Sequence, residues 1–158
     1  MRRKNREVTD REEIKDIIRR CGVCRLALFD GEYPYLIPLN FGFAEENGNW
    51  VLYFHGANAG KKLDLIKKCR NAAFEMDCSH QLVEGERACD YTMAFESVCG
   101  TGAVDILPPE EKAKALTGLM AQYTPRKFGE FTERELASVT LLRLTVREIT
   151  AKRHRKSH

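Results

Sequence analysis

Two dipeptides, Asp30-Gly31 and Asn47-Gly48, constrain this chain more than any other feature. Each lies between runs of β-prone residues, and each suits the positive φ angles of a tight two-residue hairpin. The flanking runs are Val23–Phe29, Tyr35–Phe43 and Trp50–His55. They predict three consecutive antiparallel strands, a meander.

Further strands are expected at Ala72–Cys78, from Tyr91 to Ile106, and at Val139–Thr150. In the last of these Leu142, Leu144 and Val146 alternate with Arg143, Thr145 and Arg147. Gly100 and Gly102 fall inside the long strand and point to sharp coiling at a barrel corner or to a close backbone approach. Residues 79–90 are polar and read as a loop. Helices are signalled at the margins. Thr9-Asp10-Arg11-Glu12 is a capping box, followed by Ile14, Ile17, Ile18 and Cys21 at helical spacing. Lys61–Cys69 reads as a short helix with Leu63 and Ile66 on one face. Pro109 suits a first helical position, ahead of Ala113, Leu116, Met120 and Tyr123, and Thr132 with Glu135 forms a second capping box. Six mostly antiparallel strands with helices at the margins predict a mainly β chain, a closed or partly closed β-barrel with flanking helices.

The 158 residues, 43% of them hydrophobic, suffice for one domain with a real core, expected over residues 1–150. Residues 151–158 read as a basic, disordered tail. The net charge of +3 is too small to argue for nucleic acid. Much of it sits at the ends, on Arg2, Arg3, Lys4 and Arg6 and on Lys152, Arg153, Arg155 and Lys156. No apolar run approaches the ~20 residues that cross a bilayer, and no apolar stretch follows the basic N-terminus. The expectation is a cytoplasmic protein that contacts neither membrane nor nucleic acid, with its six cysteines reduced. Cys69, Cys78 and Cys99 look like small core residues. Cys21-Gly22-Val23-Cys24 has CxxC spacing, but it closes a helix and opens a strand and has no second pair. A structural role without metal is the reading.

The stretch most informative about chemistry runs from Leu52 to Lys62. A strand ends at His55, a loop of small residues turns over Gly56–Gly60, and a helix opens with Lys61 and Lys62. Two cations in a first turn oppose the helix dipole, an arrangement that makes sense around a phosphate. A solvated lysine pair after a flexible loop reads equally well. His55 could donate to a phosphate, bind a metal or satisfy a core contact. In the second stretch, Tyr35 to Phe43, Pro38 places the strand at a sheet edge or bulge and leaves main-chain groups free that could read a flat ring with polar edges; an ordinary edge strand with one proline is the alternative. No serine–histidine–acid set and no paired carboxylates can be assigned. His154 and His158 lie in the tail and His80 in a polar loop. Few acid–base groups beside a candidate phosphate pocket suit chemistry borrowed from a cofactor.

These residues resemble the pyridoxamine 5′-phosphate oxidase-like FMN-binding split barrels, in the branch of nitroimidazole-resistance (Nim-type) reductases. The resemblance runs in family order over about residues 1–125. It rests on Met1-Arg2-Arg3-Lys4 with Glu7-Val8, Cys24-Arg25-Leu26-Ala27, Pro34-Tyr35 through Pro38-Leu39-Asn40-Phe41-Gly42, and Leu52-Tyr53-Phe54-His55 with Gly60-Lys61-Lys62. Phe74-Glu75-Met76-Asp77, Ala88-Cys89, Ser97 through Gly102, and Glu111-Lys112 with Leu119-Met120 complete it. It implies a six-stranded split barrel and a homodimer with two FMN sites at the interface. It implies that Pro38, Leu39, Asn40 and Phe41 face the isoalloxazine ring. His55, Lys61 and Lys62 would lie near the ribityl phosphate, with Ser97 on a neighbouring strand. Where the family commonly has Arg-Lys, this chain has Lys61-Lys62, which keeps the charge and loses the bidentate fork.

The expected activity is that of an FMN-dependent oxidoreductase, the flavin carrying the chemistry and NAD(P)H or a partner supplying electrons. The substrate would be a small organic molecule such as a 5-nitroimidazole. The alternative is a flavin or heme carrier or sensor on the same barrel, with His55 as an axial ligand. Trp50, Phe41 and the loop bearing Phe128 and Phe131 are the expected apolar dimer surface.

Overall fold

The computed structural model describes residues 3–155. Arg2, Lys156 and His158, assigned above to the ends, lie outside them. Eight strands form: β1 (Glu7–Val8), β2 (Cys24–Asp30), β3 (Tyr33–Leu39), β4 (Phe41–Glu46), β5 (Asn49–Gly56), β6 (Asn71–Val83), β7 (Thr92–Ile106) and β8 (Thr140–His154). Four helices flank them: α1 (Arg11–Arg20), α2 (Lys61–Lys68), α3 (Pro109–Ala121) and α4 (Glu133–Ala137). All strands pair antiparallel in one sheet of order β3-β2-β6-β7-β8-β5-β4, with β1 on β8. Among the described residues no helix is long and apolar enough to cross a membrane.

Both hairpins form where the turn dipeptides stand. Gly31 has φ 75°, and Asn47 and Gly48 have φ 50° and 79°, the left-handed values a tight turn needs. The meander does not form. The run from Tyr35 to Phe43 breaks at Asn40 into β3 and β4, which lie at opposite ends of the sheet order. Leu39 therefore belongs to one edge and Phe41 to the other. Two residues reach at most about 7 Å, so the sheet must curl until its edges meet at Asn40. The result is a split barrel, its edges joined by one linking residue instead of a ladder.

Three boundaries also differ from expectation. The first helix is capped by Asp10, not Thr9: the Asp10 carboxylate accepts from the Glu13 amide at 2.9 Å. A carboxylate caps as well as a hydroxyl and adds charge favourable to the dipole. β6 continues through the polar residues after Cys78, bending where Ser79 takes φ 59° and the register slips before Gln81. β8 continues to His154, so the first part of the supposed tail is strand. Pairing with β1 on one side and β7 on the other satisfies its backbone, Ala151 is buried, and Arg153 ion-pairs with Glu13 and Glu96.

Leu26, Leu28, Phe41, Leu52, Phe54, Phe74, Met76, Val98, Leu142 and Leu144 fill the barrel; Ile17 and Ile18 of α1 and Leu63 and Ile66 of α2 belong to the same core. The coiling glycines are explained by close approach: a Cβ on Gly100 would stand 2.5 Å from the Glu148 carbonyl oxygen, and one on Gly102 2.4 Å from that of Thr145. A second, smaller core lies where α3 covers Val51, Tyr53 and Leu141. There Gly42 admits the α3 backbone, since a Cβ would sit 2.4 Å from Leu119 Cα.

Phe41 and Trp50, expected on an exposed dimer surface, are 0% and 5% exposed. Phe41 points into the barrel, and Trp50 is held between Phe43, edge-on at 5.6 Å, and the Arg11 guanidinium at 4.4 Å. Cys99, expected in the core, is exposed on β7; Cys69 and Cys78 are half-buried.

Candidate functional site

The seam where the two sheet edges meet gathers most of the singled-out residues. β4 starts at Phe41, which pairs with Phe54, so Asn40 and His55 flank the end of the same ladder. His55 is exposed, while Phe54 before it is fully buried. The chain then leaves β5 through Gly56 and the exposed residues 57–60 and enters α2.

Gly60 opens α2 with φ 133°, a backbone that favours glycine, and no side chain caps the helix. The Leu63 amide donates to the Gly60 carbonyl at 2.9 Å, which leaves the amides of Lys61 and Lys62 without intrahelical partners. Lys62 folds back over the end of β5: a Cβ on Gly56 would stand 2.3 Å from its Nζ. Glycine at 56 is what leaves the ammonium this place. Lys62 makes no ion pair among the described residues.

Lys61 is engaged elsewhere. Its ammonium is 2.5 Å from Asp30 Oδ2 and 5.0 Å from the Tyr35 ring centroid. The hydrogen bond it donates to Asp30 raises its pKa above the ordinary lysine value. Lys61 thus ties the start of α2 to the tip of the β2–β3 hairpin, and Lys62 alone carries unspent charge over the loop.

Asn58 is a residue that sequence reasoning missed. Its Nδ2 donates to the Ala137 carbonyl at 2.8 Å, and its Oδ1 accepts from Thr140 Oγ1 at 2.9 Å. Lys112 in turn donates to the carbonyls of Leu136 and Val139. The loop is therefore pinned against α4 and the start of β8. An asparagine in a small-residue loop was the available signal.

The Pro38–Phe41 segment divides by side. Pro38 is exposed on the outer face of edge strand β3, opposite Arg25. Asn40 is exposed, its Nδ2 3.5 Å from the Gly22 carbonyl oxygen. Leu39 packs against the core and Phe41 is inside it. The Phe41 amide is also spent: it donates to Tyr123 Oη at 2.8 Å, while the Tyr123 hydroxyl donates to the Gly22 carbonyl at 3.0 Å. Only Pro38 and Asn40 present side chains outward. The reason is the pleat, which turns successive residues to opposite faces.

Ser97 is not brought to the seam. It is half-buried on β7, opposite Asp77 of β6 and Lys152 of β8. Two strands, β2 and β6, separate it from β3.

The outer face of β2, β3 and β6, with parts of β7 and β8, carries a pocket of about 640 Å³, lined by Ala27, Phe29, Pro34, Ala73, Thr101 and Arg147 among others. Phe29 is 66% and Leu36 59% exposed. Among the described residues no group of three or more histidine, cysteine or carboxylate side chains could hold a metal ion.

A search of the curated proteins returned no match. Among solved structures, the chain is similar to a candidate 5-nitroimidazole antibiotic resistance protein from Bacteroides thetaiotaomicron, with 28% identity over 92% of this chain and 85% of that one, at TM-score 0.79. It shares its fold with an FAD and heme binding protein from Mycobacterium smegmatis (20% identity, 96% of this chain, 74% of that one, TM-score 0.83). It shares it also with a flavocytochrome from Azotobacter vinelandii (18% identity, 99% and 72%, TM-score 0.81). The family model described as pyridoxamine 5′-phosphate oxidase matches residues 10–153, nearly the whole described barrel, and the chain belongs to that family.

Proposed function

We propose that this chain binds FMN at the barrel seam and acts, as a homodimer, as an oxidoreductase on a small nitroaromatic substrate. The observation that carries the reading is the Lys62 ammonium lying over Gly56 beside an uncapped helix start. A phosphate fits that donor set: one unpaired cation, the free amides of Lys61 and Lys62 and a loop of small residues that lets an anion approach. Bound there, FMN supplies hydride and electron transfer that no side chain of this protein can provide.

The protein's own residues bind and orient. The Lys62 ammonium and the amides of Lys61 and Lys62 hold the phosphate. His55, at the end of β5, donates to it from the strand side. Pro38 and Asn40 form the wall along which the ring lies. Asn58 fixes the loop before the cofactor arrives, so little ordering cost is left for binding.

The second copy would cover the outer face of β2, β3 and β6. Phe29 and Leu36 make an apolar patch too exposed for a monomer without a use for it. Ser97, far from the seam of its own chain, would then serve the partner's site. NAD(P)H is the expected electron donor. The solved relative named for 5-nitroimidazole resistance motivates the substrate class.

The visible spectrum of the purified protein is the first test. Two broad flavin bands, bleached by NAD(P)H and restored by a 5-nitroimidazole, support the reading. A sharp Soret band lost in His55→Ala would instead support a heme carrier, a reading favoured by the exposure of His55. Flavin bands that no donor and acceptor pair can cycle would leave a carrier without turnover.

A further inference from the structure

The strand ladders on either side of the split stop at Leu39 and Phe41, so Asn40 crosses the seam between them. What fixes the crossing comes from α3. Gly42 lets the α3 backbone lie against the start of β4 at Leu119. Tyr123 stands four residues on from Leu119, one turn further along the same face. Its amide donates to the Met120 carbonyl at 3.0 Å, which carries the last turn past Ala121. The Tyr123 hydroxyl reaches the seam, accepting from the Phe41 amide at 2.8 Å and donating to the Gly22 carbonyl at 3.0 Å. Phe41 opens β4, and Gly22 precedes β2, the strand on which β3 pairs. One hydroxyl thus spans both sides of the split.

Asn40 competes for the same acceptor. Its Nδ2 is 3.5 Å from the Gly22 carbonyl oxygen, at the outer limit of a hydrogen bond, while the Tyr123 hydroxyl sits closer. The Tyr123 proton satisfies that oxygen and leaves the exposed Asn40 carboxamide able to donate and accept outward. Gln122, the residue before Tyr123, makes the contrast. Its Nε2 lies 3.1, 3.2 and 3.2 Å from the carbonyl oxygens of Ile18, Arg19 and Cys21, at the end of α1. Gln122 holds the helix; Tyr123 holds the seam.

We propose that Tyr123 is a positioning residue for the flavin ring, acting through Asn40; the inference rests on the cofactor site proposed above. By occupying the Gly22 carbonyl, Tyr123 keeps the Asn40 carboxamide turned outward, where its N–H and C=O meet the polar edge of an isoalloxazine ring. By holding the Phe41 amide, it fixes the backbone from which Asn40 projects. Without the hydroxyl the Gly22 oxygen loses its nearer donor, and the Asn40 carboxamide turns in to replace it. A flavin then loses hydrogen bonds at its ring edge, whether or not it carries a phosphate.

FMN and riboflavin are titrated by fluorescence against the unmodified chain, Tyr123→Phe, Asn40→Ala and the double variant. Tyr123→Phe should weaken both flavins by the same factor, roughly 2- to 10-fold, the worth of a neutral hydrogen bond. Asn40→Ala should do the same, and the double variant should lose no more than Asn40→Ala alone. Gln122→Ala separates positioning from stability: it should lower the urea midpoint and leave both affinities unchanged. In the unmodified chain the Asn40 side-chain amide resonance, assigned by its absence in Asn40→Ala, should move when riboflavin is added. Unchanged affinities in Tyr123→Phe, a loss for FMN alone, additive losses in the double variant, or a loss in Gln122→Ala as large as that in Tyr123→Phe each overturn the proposal. An unmoved Asn40 resonance overturns it even if Tyr123→Phe fails to fold. Flavin that binds indifferently to Tyr123 refutes this inference alone; an unmodified chain that binds neither flavin refutes the cofactor site and the inference with it.

Discussion

The Lys62 ammonium occupies the space that a side chain at position 56 would fill, with Nζ only 2.3 Å from where a Cβ on Gly56 would stand. Gly56→Ala should therefore push the lysine off the loop. If Lys62 binds an FMN phosphate, Gly56→Ala and Lys62→Ala should weaken FMN alike and spare riboflavin, which lacks the phosphate. A hydrogen bond to a charged group is worth about 1.5–3 kcal/mol, so the loss should be on the order of 10- to 100-fold. Fluorescence titration with both flavins measures it. Equal losses for FMN and riboflavin would refute the assignment.

Lys61 should behave differently, because Asp30 already holds it at 2.5 Å. Lys61→Ala should cost less FMN affinity than Lys62→Ala. Asp30→Asn should free Lys61 and tighten FMN by a few-fold, more so at low salt. The same titration across a salt series tests this, and weaker binding in Asp30→Asn would count against it.

Glu96 ties α1 to the barrel. It is buried, and it accepts from Arg20, Arg153 and Ser79. Burial by itself would raise its pKa, but the hydrogen bonds outweigh it and hold the carboxyl at about 2. A carboxylate depressed on folding stabilises the protein above its unfolded pKa and loses that contribution as pH falls through the folded value. The window here runs from about pH 4.5 down to about pH 2. The shift corresponds to a contribution of roughly 3 kcal/mol. Glu96→Gln should destabilise the protein by about 2–3 kcal/mol at pH 7. The gap from the parent should narrow as pH falls through that window. Urea unfolding of both proteins across pH checks it; a pH-independent gap would contradict it.

Trp50 is buried with its indole N–H unpartnered. Trp50→Phe keeps most of the packing and removes the orphan donor, so it should cost less than about 1 kcal/mol or stabilise. Trp50→Ala should cost about 3–5 kcal/mol. Thermal unfolding separates the two, and equal losses would show that the indole nitrogen has a partner in solution.

The dimer proposal predicts that Leu36→Asp, at a site 59% exposed in the single chain, shifts sedimentation from dimer to monomer with the fold intact. A stable monomer of the unmodified chain at micromolar concentration would defeat it.

The sequence by itself determined what acts over a few residues. Asp30-Gly31 and Asn47-Gly48 set both hairpins, the Thr132–Glu135 box capped α4, Pro109 opened α3, and the loop before Lys61 marked a helix start. Tertiary structure decided which distant residues meet. Nothing near Asn40 says that β3 and β4 sit on opposite edges, because an apolar run reads the same whether or not it changes edge. That one switch curls the barrel, turns Phe41 inward and sets Asn40 beside the end of the ladder that carries His55. Lys61 and Lys62 look equivalent as neighbours in a string. Their ammonium groups end apart because one meets Asp30 across a hairpin and the other lies over Gly56. Cys78 stands far along the chain, yet its Sγ lies 3.9 Å from the Ile17 carbonyl oxygen that also accepts from the Cys21 amide. Local propensity is a property of neighbours along the backbone, whereas strand pairing and core packing are chosen by the whole surface they bury.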